Sequence, residues 1–240
     1  MPSLVSRICC RLLAAPLLAM PVAAFAGPPF LTDDPQPTEL HHWEIYDFVS
    51  GEGADGQTSL AGGLDLNYGA VRDVQLTVVL PLEKEPGLPL HGGDIELAAK
   101  FRFLDHRDRS VPVDVSFFPR VFLPTGRDSH RTRLLLPLWV EHDAGAWQIF
   151  GGGGYTLNPG PGQRDYWQQG VAVNRAINER LQLGLEYFGQ QADVTGGRAT
   201  HLLNLGATLR IGGPFSLLGS FGRGLNRRQT VFYSALKFDL

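Results

Sequence analysis

The sequence predicts an all-β fold in which about twelve antiparallel strands close into a barrel. Runs of about ten residues alternate apolar and polar side chains, and no long stretch has the helical period. The links between the runs are alternately short and longer. An even number of antiparallel strands closes with both chain ends on one side.

The chain begins with a segment typical of export. Arg7 and Arg11 precede a short apolar run, and Ala24-Phe25-Ala26 has the small-x-small form of a cleavage site. The apolar run is too short to span a bilayer comfortably, and no stop-transfer charges follow it. We therefore predict that residues 1–26 are a signal peptide, cleaved near Ala26.

Removal of residues 1–26 changes the composition in two ways. Both cysteines leave, so the mature chain has no disulfide and no thiolate metal site. Two of the 21 lysines and arginines also leave, which gives a net charge of −5 against 24 acidic residues. This modest acidity argues against a nucleic-acid partner.

Residues 27–41 are rich in proline and acid and have no period. Three placements are open: along the periplasmic rim, inside the lumen, or a disordered tail. The barrel itself is predicted over residues 42–240. Its strand-like runs lie near 42–50, 57–68, 73–82, 94–104, 111–123, 133–142, 146–156, 166–175, 180–189, 201–211, 215–223 and 230–240.

The hairpin over residues 57–82 shows the alternation most clearly. Leu60, Leu64 and Leu66 take one face of its first run, and Asp65 and Asn67 take the other. The apolar face meets either a protein core or lipid. Aromatic residues decide for lipid, because six of them share the apolar parity of their strands and gather at the end with short turns, as a membrane-interface girdle requires. They are Trp43, Tyr68, Phe103, Trp147, Phe215 and Phe238.

The polar faces then line a lumen and carry charges of both signs. If Asp105 pairs with Val111 across the short link DHRDRS, Arg102 lies opposite Asp114 and the same register places Glu96 opposite Arg120. Such charges either line a pore or form a structural network that fills a narrow barrel. The lumen-lining candidates are Glu96, Lys100, Arg102, Asp114, Arg120, Arg133, Glu141, Arg180, Glu186 and Arg210.

Three prolines lie within or close to apolar runs, although a closed barrel has no free edge for them. Pro81, Pro119 and Pro137 all fall toward the outer ends of their predicted strands. We therefore expect the fifth and sixth strands to be bent or short at the outer rim.

The sequence gives no warrant for an enzyme, a metal site or a cofactor. The histidines form no HExxH pair, and GxSxG and phosphate-loop patterns are missing. Twelve-stranded outer-membrane phospholipases use a histidine–serine pair on the outer face of the barrel. His142 and His201 have outward parity here, but neither has a serine partner on its strand.

The mature chain resembles a known family. GPPFLTDDPQPTELHHWEIYDF, with TDDP at Thr32 to Pro35, is similar to the start of putative outer-membrane transporters of the MetA pathway of phenol degradation. YGAVRDVQLTVVLP and NRAINERLQLGLEY resemble the repeated hairpins of that family. The resemblance implies an outer-membrane barrel that conducts small, often aromatic or apolar compounds. The chain ends Phe238-Asp239-Leu240, whereas such barrels usually finish on an aromatic residue.

Two functions follow from these expectations. The first is a pore or facilitated-diffusion channel in the bacterial outer membrane, with a small-molecule permeant that the sequence does not identify. The second is a structural or interaction barrel whose lumen is plugged by its own charges. Both imply outer-membrane lipid and the outer-membrane insertion machinery as partners. A soluble exported β-sandwich is a third alternative.

Overall fold

A computed structural model describes residues 29–54, 56–109, 111–127 and 131–240, which form one antiparallel sheet closed into a barrel. The predicted signal peptide lies outside the described residues. The strands are β1 (Trp43–Ala54), β2 (Gln57–Val71), β3 (Val74–Lys84), β4 (His91–Gly92), β5 (Ile95–Leu104), β6 (Asp114–Phe117), β7 (Arg120–Leu123), β8 (Arg133–Ala144), β9 (Trp147–Leu157), β10 (Tyr166–Ala176), β11 (Leu181–Gln190), β12 (Thr200–Gly212), β13 (Phe215–Gly224) and β14 (Gln229–Asp239).

Twelve of these crossings make the wall, as the sequence predicted. β4 is a two-residue extension of a loop that pairs only with β3, and β6 and β7 are two halves of one crossing. The ring closes where β1 pairs with β14 and where β3 pairs with β5. At the seam the Trp43 N–H donates to the Leu240 carbonyl at 2.8 Å. The fold class is therefore all-β, with a closed antiparallel barrel.

The two ends of the barrel differ in their links. One end, called the turn end, holds the connection to residues 29–42, the last residue of the chain, and the shorter links such as 72–73 and 145–146. The opposite loop end holds longer links, among them 85–94, 158–165 and 191–199. The helix α1 (His106–Arg109) is a single turn at the turn end. In the part of the chain described, no helix is long and apolar enough to cross a membrane.

The wall is apolar outside and polar inside, the reverse of a soluble barrel. Leu76, Leu138 and Leu205 are examples of large aliphatic residues exposed on the outer face. Charged and amide side chains on the inner face are buried, including Lys100 and Glu186. Period-two alternation produces both faces from one sequence pattern, since successive side chains in a strand point to opposite sides.

The fifth crossing is interrupted at Phe118 and Pro119, between β6 and β7. Proline lacks an N–H for the ladder, and Pro137 of β8 lies opposite the same gap, where its carbonyl accepts the Phe118 N–H at 3.1 Å. The prediction of an irregular fifth strand is confirmed, although the break lies within the crossing and not at its outer end. The sixth strand is not short, because β8 pairs without interruption with β9 through Pro137. On its other side, the pairing of β8 with β6 and β7 stops at Leu136 and Pro137.

The predicted register between the fourth and fifth runs is wrong by two residues. Arg102 pairs with Ser116 and Glu96 pairs with Phe122. The prediction assumed the short link 105–110, whereas the link takes up residues 105–113 and includes α1. The register also shifts between Arg102 and Leu104. The Arg102–Asp114 pair is consequently not formed.

Candidate functional site

Residues 29–40, called the lumen segment, run inside the barrel. They enter at the turn end, where Leu40 bridges Gly69 and the His41 N–H donates to the Gly69 carbonyl at 2.7 Å. Thr32 and Pro35 are fully buried. The structure thus places these residues in the lumen, one of the alternatives that the sequence left open.

Lys100 is the principal contact between the wall and the lumen segment. Its ammonium group donates to the Asp33 carboxylate at 3.0 Å and to the backbone carbonyls of Asp34 and Gln36 at 2.9 and 3.2 Å. The Asp34 carboxylate lies 3.6 Å away, and the ring of Phe118 lies 4.9 Å below the charge. A buried ammonium is costly unless every proton has a partner, and here all three have one.

Gln36 joins positive and negative wall residues. Its amide oxygen accepts from the Arg102 guanidinium at 2.6 Å, and its amide nitrogen donates to Glu141 at 2.8 Å and to Asp114 at 3.2 Å. Arg102 also binds Asp73, at 2.5 Å. One neutral amide therefore satisfies three charged groups on three strands or their turns.

The two ends of the lumen segment are also bonded to the wall. The Thr32 N–H donates to Glu186 at 2.5 Å, and Asn204 donates to the other oxygen of the same carboxylate at 2.5 Å. Nearer the turn end, the Thr38 N–H donates to Gln75 at 2.8 Å. These contacts are side-chain hydrogen bonds and not a continuous backbone ladder.

Glycines in the wall allow the lumen segment to approach closely. A Cβ on Gly170 would collide with the Thr32 hydroxyl, and a Cβ on Gly206 would lie 2.5 Å from the ring of Phe30. Gly69 of β2 is equally close to the segment, because a Cβ there would collide with the Glu39 carbonyl. Small residues at these points are therefore a steric requirement for the segment to enter.

Burial controls the ionisation of Asp34 in the lumen segment. The pKa of Asp34 is raised to about 6, because burial penalises its charged form more than the nearby Lys100 ammonium favours it. At the turn end the opposite holds for Asp105, whose pKa lies well below its usual range because Arg107 hydrogen-bonds to it and Arg102 lies beside it. The charge on Asp105 is thus fixed, whereas that on Asp34 is not.

A cavity of about 550 Å³, called the vestibule, lies above the tip of the lumen segment. Its floor is Pro29 to Leu31, and its walls come from β1–β3 and β12–β14 with Arg120 of β7. Both polar and apolar residues line it, among them Glu52, Glu83, Asn204 and Tyr233. The lumen segment ends at this floor and leaves the vestibule above it open.

The sequence-predicted lumen residues fall into three groups: those paired with another residue of the barrel, those bonded to the lumen segment, and those that lie elsewhere. Glu96 and Arg120 form an ion pair at 2.6 Å across a diagonal, although they do not face each other directly. Arg133 pairs with Asp94 near the loop end at 3.2 Å. Those bonded to the lumen segment are Lys100, Arg102, Asp114, Glu141 and Glu186. Those elsewhere are Arg180, which is exposed in the turn before β11, and Arg210, which is half-buried near the end of β12.

The six predicted interface aromatics lie on the outer face near the turn end. Trp43 packs on Tyr68 with ring centroids 4.7 Å apart, and Phe215 packs on Phe238 at 5.2 Å. Trp147 at the start of β9 lies under the Arg175 guanidinium, and Phe103 is exposed near the end of β5. Aromatic rings with a nearby cation suit the boundary between hydrocarbon and headgroups.

Sequence reasoning missed the residues that the lumen segment itself contributes. Asp33, Asp34 and Gln36 belong to a stretch without period, so neither face nor partner could be assigned to them. The available signal was chemical: an acidic, proline-rich stretch precedes a wall with an inward lysine. The vestibule acids Glu52 and Glu83 were also missed.

Two histidines with outward parity, His142 and His201, each bond to a neighbouring polar group. The ring of His142 bonds to the Pro112 carbonyl at 2.5 Å, and that of His201 bonds to the Tyr187 hydroxyl at 2.8 Å. Asp105, His106 and Asp114 lie close enough together to hold a metal ion by distance. Asp105 also pairs with Arg102 and Arg107, and the His106 ring lies 2.6 Å from Asp114, so the group takes part in an ion-pair network at the turn end.

The geometry defines a class of fold, that of outer-membrane β-barrels. An outer membrane channel from Pseudomonas putida F1 is similar, with 16% identity and a TM-score of 0.62 over 85% of this chain and 97% of that chain. A KdgM porin has 9% identity and a TM-score of 0.60 over 81% of this chain and 99% of that one. The translocator domain of the autotransporter NalP from Neisseria meningitidis has 11% identity and a TM-score of 0.52 over 84% and 89%.

No family model and no curated protein matches the sequence. The resemblance to the family of the MetA pathway of phenol degradation therefore stays a prediction. At such identities the structural likeness establishes the fold alone.

Proposed function

We propose that the chain is a channel of the bacterial outer membrane and that the lumen segment closes it at rest. The observation that carries the proposal is that the lumen is only partly filled. The lumen segment occupies part of it through polar contacts, and an open cavity of about 550 Å³ continues above the segment. The channel opens when the segment moves away from the wall. The similarity to an outer membrane channel and a porin supports this class of function.

The lumen segment is attached in a way that permits movement. Among the described residues, its single backbone bridge to the wall is Leu40 with Gly69. Its other wall contacts described above involve wall side chains, through hydrogen bonds and ion pairs. The wall ladders continue from β1 round to β14 without it. Displacing the segment therefore breaks no strand pairing and leaves the barrel closed.

In this proposal the outer face contacts outer-membrane lipid and the turn end faces the periplasm. The insertion machinery of the outer membrane is the partner during assembly, and the signal peptide is removed near Ala26. The permeants are small compounds with an aromatic or apolar body, as membership of the MetA-pathway family would imply. Phe30 and Tyr233 in the vestibule are suited to such a body.

The proposal is tested in planar bilayers with a replacement of residues 29–39 by a glycine–serine linker of equal length. The linker keeps the chain length but lacks the Asp33 and Gln36 side chains that bond to Lys100 and Arg102. Only backbone groups remain to bond to Lys100 and Glu186. We expect brief, rare openings for the native protein and steady conductance for the variant. Equal and steady conductance of both proteins would contradict closure by the segment.

A disulfide provides the converse test. A Cβ on Gly170 would lie 3.0 Å from the Cβ of Thr32, somewhat shorter than the usual 3.5–4.5 Å across a disulfide. The mature chain has no other cysteine. The T32C/G170C variant should conduct only after reduction, and the same protein before reduction is its control. Openings of the oxidised, fully cross-linked protein would show that the segment does not gate.

A structural or interaction barrel is the second candidate function. The dense bonding of Gln36 to three charged wall residues favours it, because such networks hold register without any need to move. If this alternative holds, the linker variant also remains closed. Its folded, heat-modifiable form should then be lost at a lower temperature than that of the native protein, as measured by migration on a gel.

A further inference from the structure

We propose that the vestibule binds small organic cations, namely protonated amines that carry an aromatic or apolar body. The inference names the ligand class of the lumen, and its relevance to permeation rests on the proposed channel function. Two independent features of the cavity support it: its size with its apolar surfaces, and its uncompensated carboxylates.

The size and the apolar surfaces fit a molecule of one ring and a short chain. A cavity of about 550 Å³ is within the range of small-molecule sites, roughly 300–1,000 Å³. Phe30 of the lumen segment lies at its floor, and Val231 and Tyr233 lie on the wall of β14. Tyr233 is held in place by Phe48, with ring centroids 6.1 Å apart. Aromatic faces also attract cations directly.

The charge of the lining is negative after its ion pairs are counted. Arg120 forms a bidentate ion pair with Glu96, so the charges of these two residues cancel. Glu52 accepts from Arg227 at 3.4 Å and from Gln229 at 2.8 Å. Among the described residues, no cation lies within ion-pair distance of Glu83 or Glu85. Two carboxylates are therefore left to attract a positive ligand.

The test measures binding to the purified full-length mature protein by titration calorimetry, with three probes that share a phenylethyl body. Phenethylammonium is the cation, 2-phenylethanol is neutral and 3-phenylpropionate is the anion. We expect the cation to bind at least about tenfold more tightly than the neutral probe, and the anion not to bind. Equal affinities for cation and anion would overturn the inference, and this comparison needs no variant.

A double variant assigns the site. E83Q/E85Q should lower the affinity for phenethylammonium about tenfold and leave that for 2-phenylethanol unchanged. E179Q is the matched control, because Glu179 is an exposed acid in a turn at the opposite end of the barrel. An unchanged affinity of the double variant, in protein that retains its heat-modifiable migration, would place the ligand elsewhere and contradict the inference.

Conductance separates this inference from the proposed function. If phenethylammonium binds selectively and the linker variant never conducts, the ligand site stands and the channel proposal fails. If the linker variant conducts but the three probes bind alike, the channel stands and the ligand class is wrong.

Discussion

The two sides of the lumen wall share one sequence pattern but face different surroundings. On the side formed by β5–β11, inward residues such as Lys100, Arg102 and Glu186 all bond to the lumen segment. On the side formed by β1–β3 and β12–β14, inward residues such as Glu83 and Tyr233 face a cavity. The same inward polar pattern can therefore bond to a protein segment or face a cavity open to solute. The position of the lumen segment determines which of the two occurs on each side.

Removal of the charge on Lys100 should have the largest effect on this contrast. Lys100→Met leaves the buried Asp34 and the half-buried Asp33 without their cation. The loss of one partner of a buried pair typically costs about 3–5 kcal/mol. The docked state of the segment should weaken by about this amount, and single-channel recordings should show a steep rise in open probability.

Arg227→Met is the control on the other side of the wall. Arg227 pairs with Glu52 at the vestibule, where both side chains are partly exposed, so the loss should be below about 1 kcal/mol. If both variants raise open probability to the same extent, the two sides of the wall do not differ in the way proposed.

An added methyl group at Gly170 should have an intermediate effect. The new Cβ of Gly170→Ala would collide with the Thr32 hydroxyl, and overpacking of this kind costs about 1–3 kcal/mol. Open probability should rise without any change in charge. Gly219→Ala is the matched control, since the nearest atom to its Cβ is 3.7 Å away. Identical recordings from the two alanine variants would argue against close docking at Gly170.

The smallest effect should come from pH. With a pKa of about 6 in the docked segment against an ordinary value of 3.8, Asp34 keeps a proton that it loses when the segment is free. Docking is therefore favoured at low pH and weakens as pH rises through this interval, by about tenfold between pH 5 and pH 7. Open probability should rise over that range in the native protein, and Asp34→Asn should remove this part of the dependence.

The sequence predicted the wall far better than its contents. Period-two alternation identified Lys100 and Glu186 as inward residues, because a strand fixes the face of each side chain. It could not identify Asp33 or Gln36 as their partners, since a segment without period has no face to assign. The register between β5 and β6 was missed for a related reason: a one-turn helix in the link changes the count of residues, and no local pattern requires it.

The aromatic residues show what alternation plus position can achieve. Trp43 and Tyr68 were predicted to share a depth, and their rings lie in contact. The vestibule could not be foreseen in this way, because it depends on where the tip of the lumen segment stops. Wall glycines such as Gly206 set that position, and a glycine in a strand has several explanations in sequence alone.

The direction of the lumen segment has a practical consequence for handling the protein. Its earlier residues, such as Phe30, lie deep in the barrel, while its later residues lie at the turn end. A peptide tag joined directly ahead of residue 29 would begin at the floor of the vestibule and would have to share the interior with the segment or displace it. A tag after Leu240, whose backbone pairs with Trp43 at the rim, leaves the interior as it is.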